Sequence, residues 1–272
     1  MTTKIVPGVE RKLKNRTSIP MTIRNSLTMA YRHLLLIRRN PEQLFDVIVQ
    51  PILFTLLFTF LFGGAISGNI TSYLPIIVPG IMVQTALTAT SAMGVQLRED
   101  MEKGVFNRFK SLPISHETPI TGAAIADLLR YSIATSLVLV MGYILGFRWA
   151  SVGGVVAGGL LVILAAWCIS WIFALMGVIG NSATSVQGIS FAIMFPLTFL
   201  SNAFVPTNTL PNWLQTFVKL NPVTYLVDAI RQLFNQGTIG NDFWLSLIGI
   251  GVIVAIFVPL TVAAYMRKIQ SE

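Results

Sequence analysis

The chain is poor in charge and in reactive side chains. Of its 272 residues only 11% are Asp, Glu, Lys or Arg, against about 25% in a typical soluble domain. The single cysteine, Cys168, lies inside an apolar run, which excludes an internal disulfide and a cysteine metal cluster. The two histidines, His33 and His116, stand far from any carboxylate cluster with ligand spacing, so no metal site is expected. No GxxxxGK[ST] phosphate loop occurs, and the chain is not expected to hydrolyse ATP by itself. GxSxG and HExxH are also absent, leaving no nucleophile–base set for hydrolysis within a membrane. The apolar runs 73–97, 152–180 and 184–204 hold no acidic residue, which argues against a proton- or sodium-coupled relay. The first 44 residues lack a short apolar core with a small-residue cleavage site, so no cleaved signal peptide is expected.

What the chain has is apolar length: 54% of its residues are hydrophobic. Six runs read as spans, approximately 45–66, 73–97, 120–146, 152–180, 184–204 and 243–266. Lys and Arg total 19. Nine precede the first run, four lie between the second and third, and two follow the sixth. Arg148, Lys219 and Arg231 fall on the opposite side, and Arg130 lies within a run. This asymmetry predicts a multi-pass, all-α membrane protein with both termini in the cytoplasm. The expected organisation is a cytoplasmic tail and interfacial helix over 1–44, a six-helix membrane domain over 45–266, and a short cytoplasmic tail over 267–272. The formal charge of +8 sits mostly beside the membrane. It reads as a signal for lipid headgroups and not as a nucleic-acid patch.

Ser18-Ile19-Pro20 reads as a helix start. From there Ile23, Leu27, Ala30, Tyr31, Leu34 and Leu35 recur at helical spacing, which predicts an amphipathic helix in the headgroup region. Gly153, Gly154, Gly158 and Gly159 favour close helix packing on the fourth run. Two connections are long, 98–119 and 205–242, and long connections in a compact protein tend to carry function. In the first, Met101, Val105, Phe109 and Leu112 share a helical face, Glu99 and Lys103 form an i, i+4 pair, and Pro113 ends the pattern. A docking element on the cytoplasmic surface and a loop packed on its own domain both fit. In the second, 211–220 and 222–235 read as two short helices broken at Asn221-Pro222. Trp213 and Tyr225 suit the interface, so a re-entrant hairpin on the outer side is expected. Asp228 and Arg231 read as an ordinary ion pair. Asp127 and Arg130 are charges inside the third run. Their i, i+3 spacing allows pairing or snorkelling, in a structural or a coupling role.

Three stretches carry a resemblance: PMTIRNSLTMAYRHLLLIRRNP, EDMEKGVFNRFKSLPIS and FPLTFLSNAFVPTNTLPNWLQTFVKLNPVTYLVDAIRQL. Over about 20–266 the chain resembles the type 2 ABC transporter permeases of the daunorubicin-resistance type. Where that family often has a more glutamate-rich run ending in Leu-Pro, this chain has Glu99, Asp100 and Glu102 before Leu112-Pro113. The resemblance implies a permease subunit of an exporter in the cell membrane. Two copies, or one and a paralogue, would sit on two separate ATPase subunits that bind ATP and Mg, with no cofactor on this chain. It implies that 98–113 is the coupling element, with Glu99, Met101, Glu102, Val105, Phe106, Arg108, Phe109, Leu112 and Pro113 in contact with the ATPase. The turn Gly180–Thr184 would be a second, smaller contact. A hydrophobic drug, antibiotic or lipid-like substrate would cross a cavity lined mainly by spans 2 and 5. Its expected lining is Met82, Gln84, Thr85, Met93, Phe191, Met194, Phe195 and Phe199. Export of a polysaccharide or glycolipid, and a non-transporting membrane scaffold or immunity protein, are the rival readings. A sugar channel would favour aromatic rows, and in the sequence the aromatics look scattered.

Overall fold

A computed structural model describes residues 19–105 and 118–271, and every regular element in it is helical. In order these are α1 (Ile19–Arg39), α2 (Pro41–Leu44), a π-helical turn (Phe45–Val49), α3 (Gln50–Ser67), α4 (Ile70–Glu102) and α5 (Thr118–Ile144). Then follow α6 (Val152–Ile179), α7 (Ala183–Phe199), α8 (Asn212–Leu220), α9 (Pro222–Asn235) and α10 (Asn241–Ser271). Among the described residues, five helical stretches are long and apolar enough to cross a membrane: Phe45–Ser67, Ile70–Glu102, Thr118–Ile144, Val152–Ile179 and Asn241–Lys268. The expected fifth span, α7, has 17 residues and falls short of that length. At 1.5 Å per residue it reaches about 25 Å.

Local signals set the helix starts. The side chains of Asn69, Ser151 and Ser182 accept hydrogen bonds from Ser72, Gly154 and Ser185 N–H and cap α4, α6 and α7. Gly68, with φ of 75°, closes α3 in the left-handed region that glycine adopts without strain. The caps fit the two-residue connection before α4 and the three-residue connection before α7, while seven residues separate α5 from α6.

α4 is the central post. Tyr73, Leu74, Ile77, Val78, Ile81 and Met82 are fully buried among the helices around it. It packs against α3, α5, α6 and α7. Glycine governs the closest approach. A methyl group at Gly94 would overlap the carbonyl of Phe173, and one at Gly177 would overlap the carbonyl of Gly94. The backbones of α4 and α6 therefore touch directly, the close packing that small residues permit in lipid. Of the glycines expected to pack α6, Gly154 and Gly158 abut Leu233 and Phe234 of α9, whereas nothing lies near Gly153.

The prolines in α4 leave carbonyls to satisfy. Pro79 has no N–H to give to the carbonyl of Pro75, and Asn235 Nδ2 fills that gap at 3.0 Å. Asn235 is on α9, so α8 and α9 are pinned to the spans through polar side chains. Asn221, between them, caps α9 at Val223 and donates to the carbonyl of Leu197 in the last turn of α7 and to that of Leu200 just beyond it, at 2.8 and 2.9 Å. The two short helices thus lie where the Asn221-Pro222 break places them. Arg231 pairs with Asp228 at 3.4 Å as expected, and it does more. Its guanidinium also donates to the carbonyls of Ile76, Asn202 and Ala203. The pair is a clamp between α9, α4 and the segment after α7.

Replacing Gly94 with leucine forces α4 and α6 apart. Overpacking costs typically about 1–3 kcal/mol. The thermal midpoint of Gly94→Leu in detergent is expected to fall clearly. Gly64→Leu, where nothing lies within 4 Å, is expected to stay near the parent.

Candidate coupling site and membrane cleft

Thirty-three residues make α4 about 50 Å long, more than the ~30 Å hydrocarbon core needs. Its last turns therefore project beyond the spans, at the end of the bundle that carries α1. Glu99, Met101 and Glu102 lie on this extension, and the helix ends at Lys103-Gly104, where Gly104 has φ of 65°. Val105 follows, half-buried. Phe106, Arg108, Phe109, Leu112 and Pro113 lie outside the described residues.

The extension is tied down on two sides, to α1 and to the turn before α7. Asp100 takes two parallel hydrogen bonds from the Arg32 guanidinium of α1, both 3.1 Å, the strong fork geometry of arginine and carboxylate. Arg98 pairs with Glu102 at 3.2 Å and donates to the carbonyl of Asn181 at 2.9 Å. Glu102 in turn accepts from the Ala183 N–H at 3.0 Å. Lys103 and Glu99 pair at 2.7 Å, as their spacing predicts. This pair is largely exposed, and the Glu99 hydrogen bond holds the Lys103 ammonium above its ordinary pKa. Lys268 of α10 donates to the carbonyl of Val178 at 2.9 Å. The two segments read separately in the sequence, 98–102 and the turn at 180–184, are thus one hydrogen-bonded platform. The Arg32–Asp100 fork has no signal in the sequence, because its partners are 68 positions apart.

His33 is buried beside this fork, and its Nδ1 makes no hydrogen bond. Burial disfavours the imidazolium and brings the pKa from 6.5 to about 4, against the opposing pull of Asp100 and with help from Arg32 and Arg130.

Deeper in the bundle, Asp127 and Arg130 of α5 pair at 3.2 Å with both side chains only 3% exposed. They pair and do not snorkel. A cleft of about 280 Å³ opens beside them, between the π-helical turn, α4 and α7. Its lining includes Gln43, Asp46, Gln50, Thr88, Ser91, Gln187, Ser190, Phe191, Met194 and Arg130, although the guanidinium nitrogens of Arg130 are themselves enclosed. The amide of Gln96 donates to Gln43 at 3.0 Å, joining α4 to the lead-in of α3.

The residues expected to line a cavity divide. Met82 and Met93 are packed into the interior, and Gln84 and Thr85 are buried. They are core positions in this conformation, because α4 is surrounded on nearly every side. Met194 lines the cleft, and Phe191, Phe195 and Phe199 stand exposed on α7. Successive ring centroids along Phe191, Phe195, Phe199, Phe204 and Phe58 are 5.7, 4.5, 5.0 and 4.6 Å apart. The aromatics that look scattered in the sequence therefore form a continuous row from α7 to α3.

A helical bundle with spans of membrane length, a polar platform at one end and a cleft within it is the build of a membrane transport subunit. The model of the ABC-2 type transporter family matches residues 24–235, and the chain belongs to that family as a membrane subunit. It is 38% identical over 248 residues to the daunorubicin resistance ABC transporter permease protein DrrB1 of Streptomyces coeruleorubidus, covering 89% of this chain and 86% of that protein. It is 28% identical over 236 residues to the probable doxorubicin resistance permease protein DrrC of Mycobacterium tuberculosis, covering 79% of each. It is 27% identical over 221 residues to the putative transport permease ycf38 of Cyanophora paradoxa, covering 79% of this chain and 76% of that protein.

The unfolded chain takes up a proton on His33 through pH 6.5, the folded chain only near 4. Its contribution to stability is present above pH 6.5 and is lost as pH falls toward 4. The thermal midpoint of the parent is expected to drop more steeply than that of His33→Gln between those values, and equal slopes would contradict this.

Proposed function

We propose that this chain is the permease half of an ATP-driven exporter in the cell membrane, moving a hydrophobic drug, antibiotic or lipid-like substrate outward. The observation that carries the reading is 38% identity across nearly the whole chain to a daunorubicin resistance permease. Two permeases, identical or paralogous, would sit on two ATPase subunits that bind ATP and Mg. In this reading α7 and the segment to Val205 together complete a sixth span, and both termini are cytoplasmic, following the charge asymmetry. Residues 1–44 serve as tail and interfacial helix, 45–266 as the membrane domain, and 267–272 as a second tail. The α8–α9 hairpin dips into the outer leaflet.

The platform at 98–102 receives the ATPase, with Glu99, Met101, Glu102 and Val105 at its edge, and Phe106, Arg108, Phe109, Leu112 and Pro113, outside the described residues, are proposed as further ATPase contacts. When ATP closes the ATPase pair, movement of this edge passes into α4 as a rigid post. Arg98 and Glu102 carry the same movement to the 180–183 turn and so to α7. The central cavity between the two permeases then switches from inward- to outward-facing. Its substrate-facing side is the row Phe191, Phe195 and Phe199 with Met194, adaptable contacts for a flat hydrophobic compound. Met82, Gln84, Thr85 and Met93 would reach substrate only after α4 shifts. The same phenyl row favours a second reading, export of a glycan whose apolar sugar faces stack on the rings.

The test is ATP-driven transport by the co-purified permease–ATPase complex in proteoliposomes, with a fluorescent anthracycline or a labelled glycolipid as cargo. The double variant Arg98→Ala with Glu102→Gln is expected to lose most transport per ATP hydrolysed in complexes that still contain the ATPase. Full coupling in that variant would sink the platform role, and transport of the glycolipid alone would favour the second reading.

A further inference from the structure

Met194 lines the polar cleft and also a second, apolar cavity, which lies where α7 and α10 fail to meet. α7 packs on α4, and α10 packs on α6 and α9, while α7 and α10 barely touch. About 200 Å³ is left between them. Ile169 and Ile172 of α6, Ile193 and Leu197 of α7, and Gly249 and Ile253 of α10 form its walls, each half-buried. The first turn of α9, at Pro222 and Tyr225, closes one end. Asn221, bound to the carbonyls of Leu197 and Leu200, holds that turn in place.

The chemistry of the cavity is one-sided. Among the described residues, Tyr225 and Ser246 are the only polar side chains in its lining, and neither hydroxyl proton is free. Tyr225 donates to the carbonyl of Lys219 at 2.9 Å, and Ser246 to that of Asp242 at 2.7 Å. A lipid head group or a sugar would find no charge and no unused donor there, and burying its polar groups would be costly. Water needs roughly two to four polar partners, and an apolar cavity of this order stays dry and takes an apolar guest.

Size and position narrow the guest further. Drug-sized ligands take pockets of about 300–1,000 Å³. A cavity of 200 Å³ suits a flexible chain segment better than a polycyclic compound. Only 11% of the apolar window of α10 is buried, so most of that helix faces lipid. Leu245, in the cavity lining, is itself exposed. The cavity is thus continuous with the lipid-facing surface, on the half of the bundle that carries α9. Left empty, it forfeits dispersion contacts that a lipid chain would supply.

We propose that this cavity seats one acyl chain of a bilayer lipid, drawn from the leaflet on the α8–α9 side and held between the helices, apart from the lipid that merely surrounds the bundle. The binding is independent of the export reading and is measured without ATP, so its failure would leave that reading intact.

The test is photolabelling of the full-length chain in nanodiscs. The probe is a phosphatidylcholine with a diazirine midway along one acyl chain, and adducts are mapped by peptide mass spectrometry. Two glycines of α10 supply matched variants. A Cβ at Gly249 meets nothing within 4 Å, and the same holds at Gly251, which is exposed and outside the lining. Gly249→Leu therefore fills the cavity, and Gly251→Leu adds the same bulk outside it. In the parent, Ile193, Leu197 and Ile253 are expected to label at least about threefold more than Ile248 and Val252, which are more exposed and lie at the same level of α10. A handful of added dispersion contacts suffices for that ratio. Gly249→Leu is expected to abolish the excess and Gly251→Leu to keep it. Labelling that follows exposure alone, or that is the same in both variants, would overturn the proposal. Displacement of the label from these residues by an added anthracycline would overturn it too, because the cavity would then hold cargo and not lipid.

Discussion

The backbone contact between α4 and α6 at Gly94 and Gly177 is the constraint on which the rest of the bundle depends. Lipid tails are as apolar as leucine, so burial from water does not hold two spans together once they are inserted. Close packing does, and here it reaches backbone against backbone. The contact fixes α4 along its buried length, and α3, α5 and α7 then pack around a post that is already set. It also explains why Met82 and Met93 are core residues. A helix with neighbours on nearly every side has little face left for a cavity, and the accessible apolar surface falls to α7.

Polar groups follow a second constraint. Backbone breaks at membrane depth are tolerated only where side chains repair them. Asn235 serves the carbonyl freed by Pro79, Asn221 serves the end of α7, and Arg231 serves three carbonyls at once. The short helices α8 and α9 are held by these repairs as much as by apolar packing. At the opposite end Asp100 and Glu102 play the matching part, joining α1 and the 180–183 turn to α4. Arg130 is the departure from this pattern, a buried cation neutralised by Asp127 of its own helix and repairing no backbone break.

The sequence made local features legible. Span positions followed from apolar runs, the Asn221-Pro222 break placed α8 and α9 closely, and the Glu99–Lys103 and Asp228–Arg231 pairs followed from helical spacing. The extent of α4 was less clear, because the helical spacing from Glu99 onward reads as a separate short cytoplasmic element, whereas the span itself continues to Glu102. Facing was the larger loss. Apolar spans are apolar all round, so periodicity does not tell Met82 from Phe191. Long-range partners were invisible for the same reason: nothing near Arg32 names Asp100, and nothing near Phe199 names Phe204 and Phe58. The short α7 also shows that an apolar run marks where membrane-compatible sequence lies, not where helix ends.

The central claim is that α4 and α6 move as one body and carry movement from the platform to the cavity. The most direct test is double electron–electron resonance on the assembled transporter, with spin labels at exposed Ser72 and Val152 at one end of the pair. Measurements would compare the ATP-free and ATP-trapped states. The account predicts an unchanged distance between these labels within one permease, while the distance between equivalent labels on the two permeases changes. A shift of several ångström within the single permease would show that α4 slides against α6, and would contradict it.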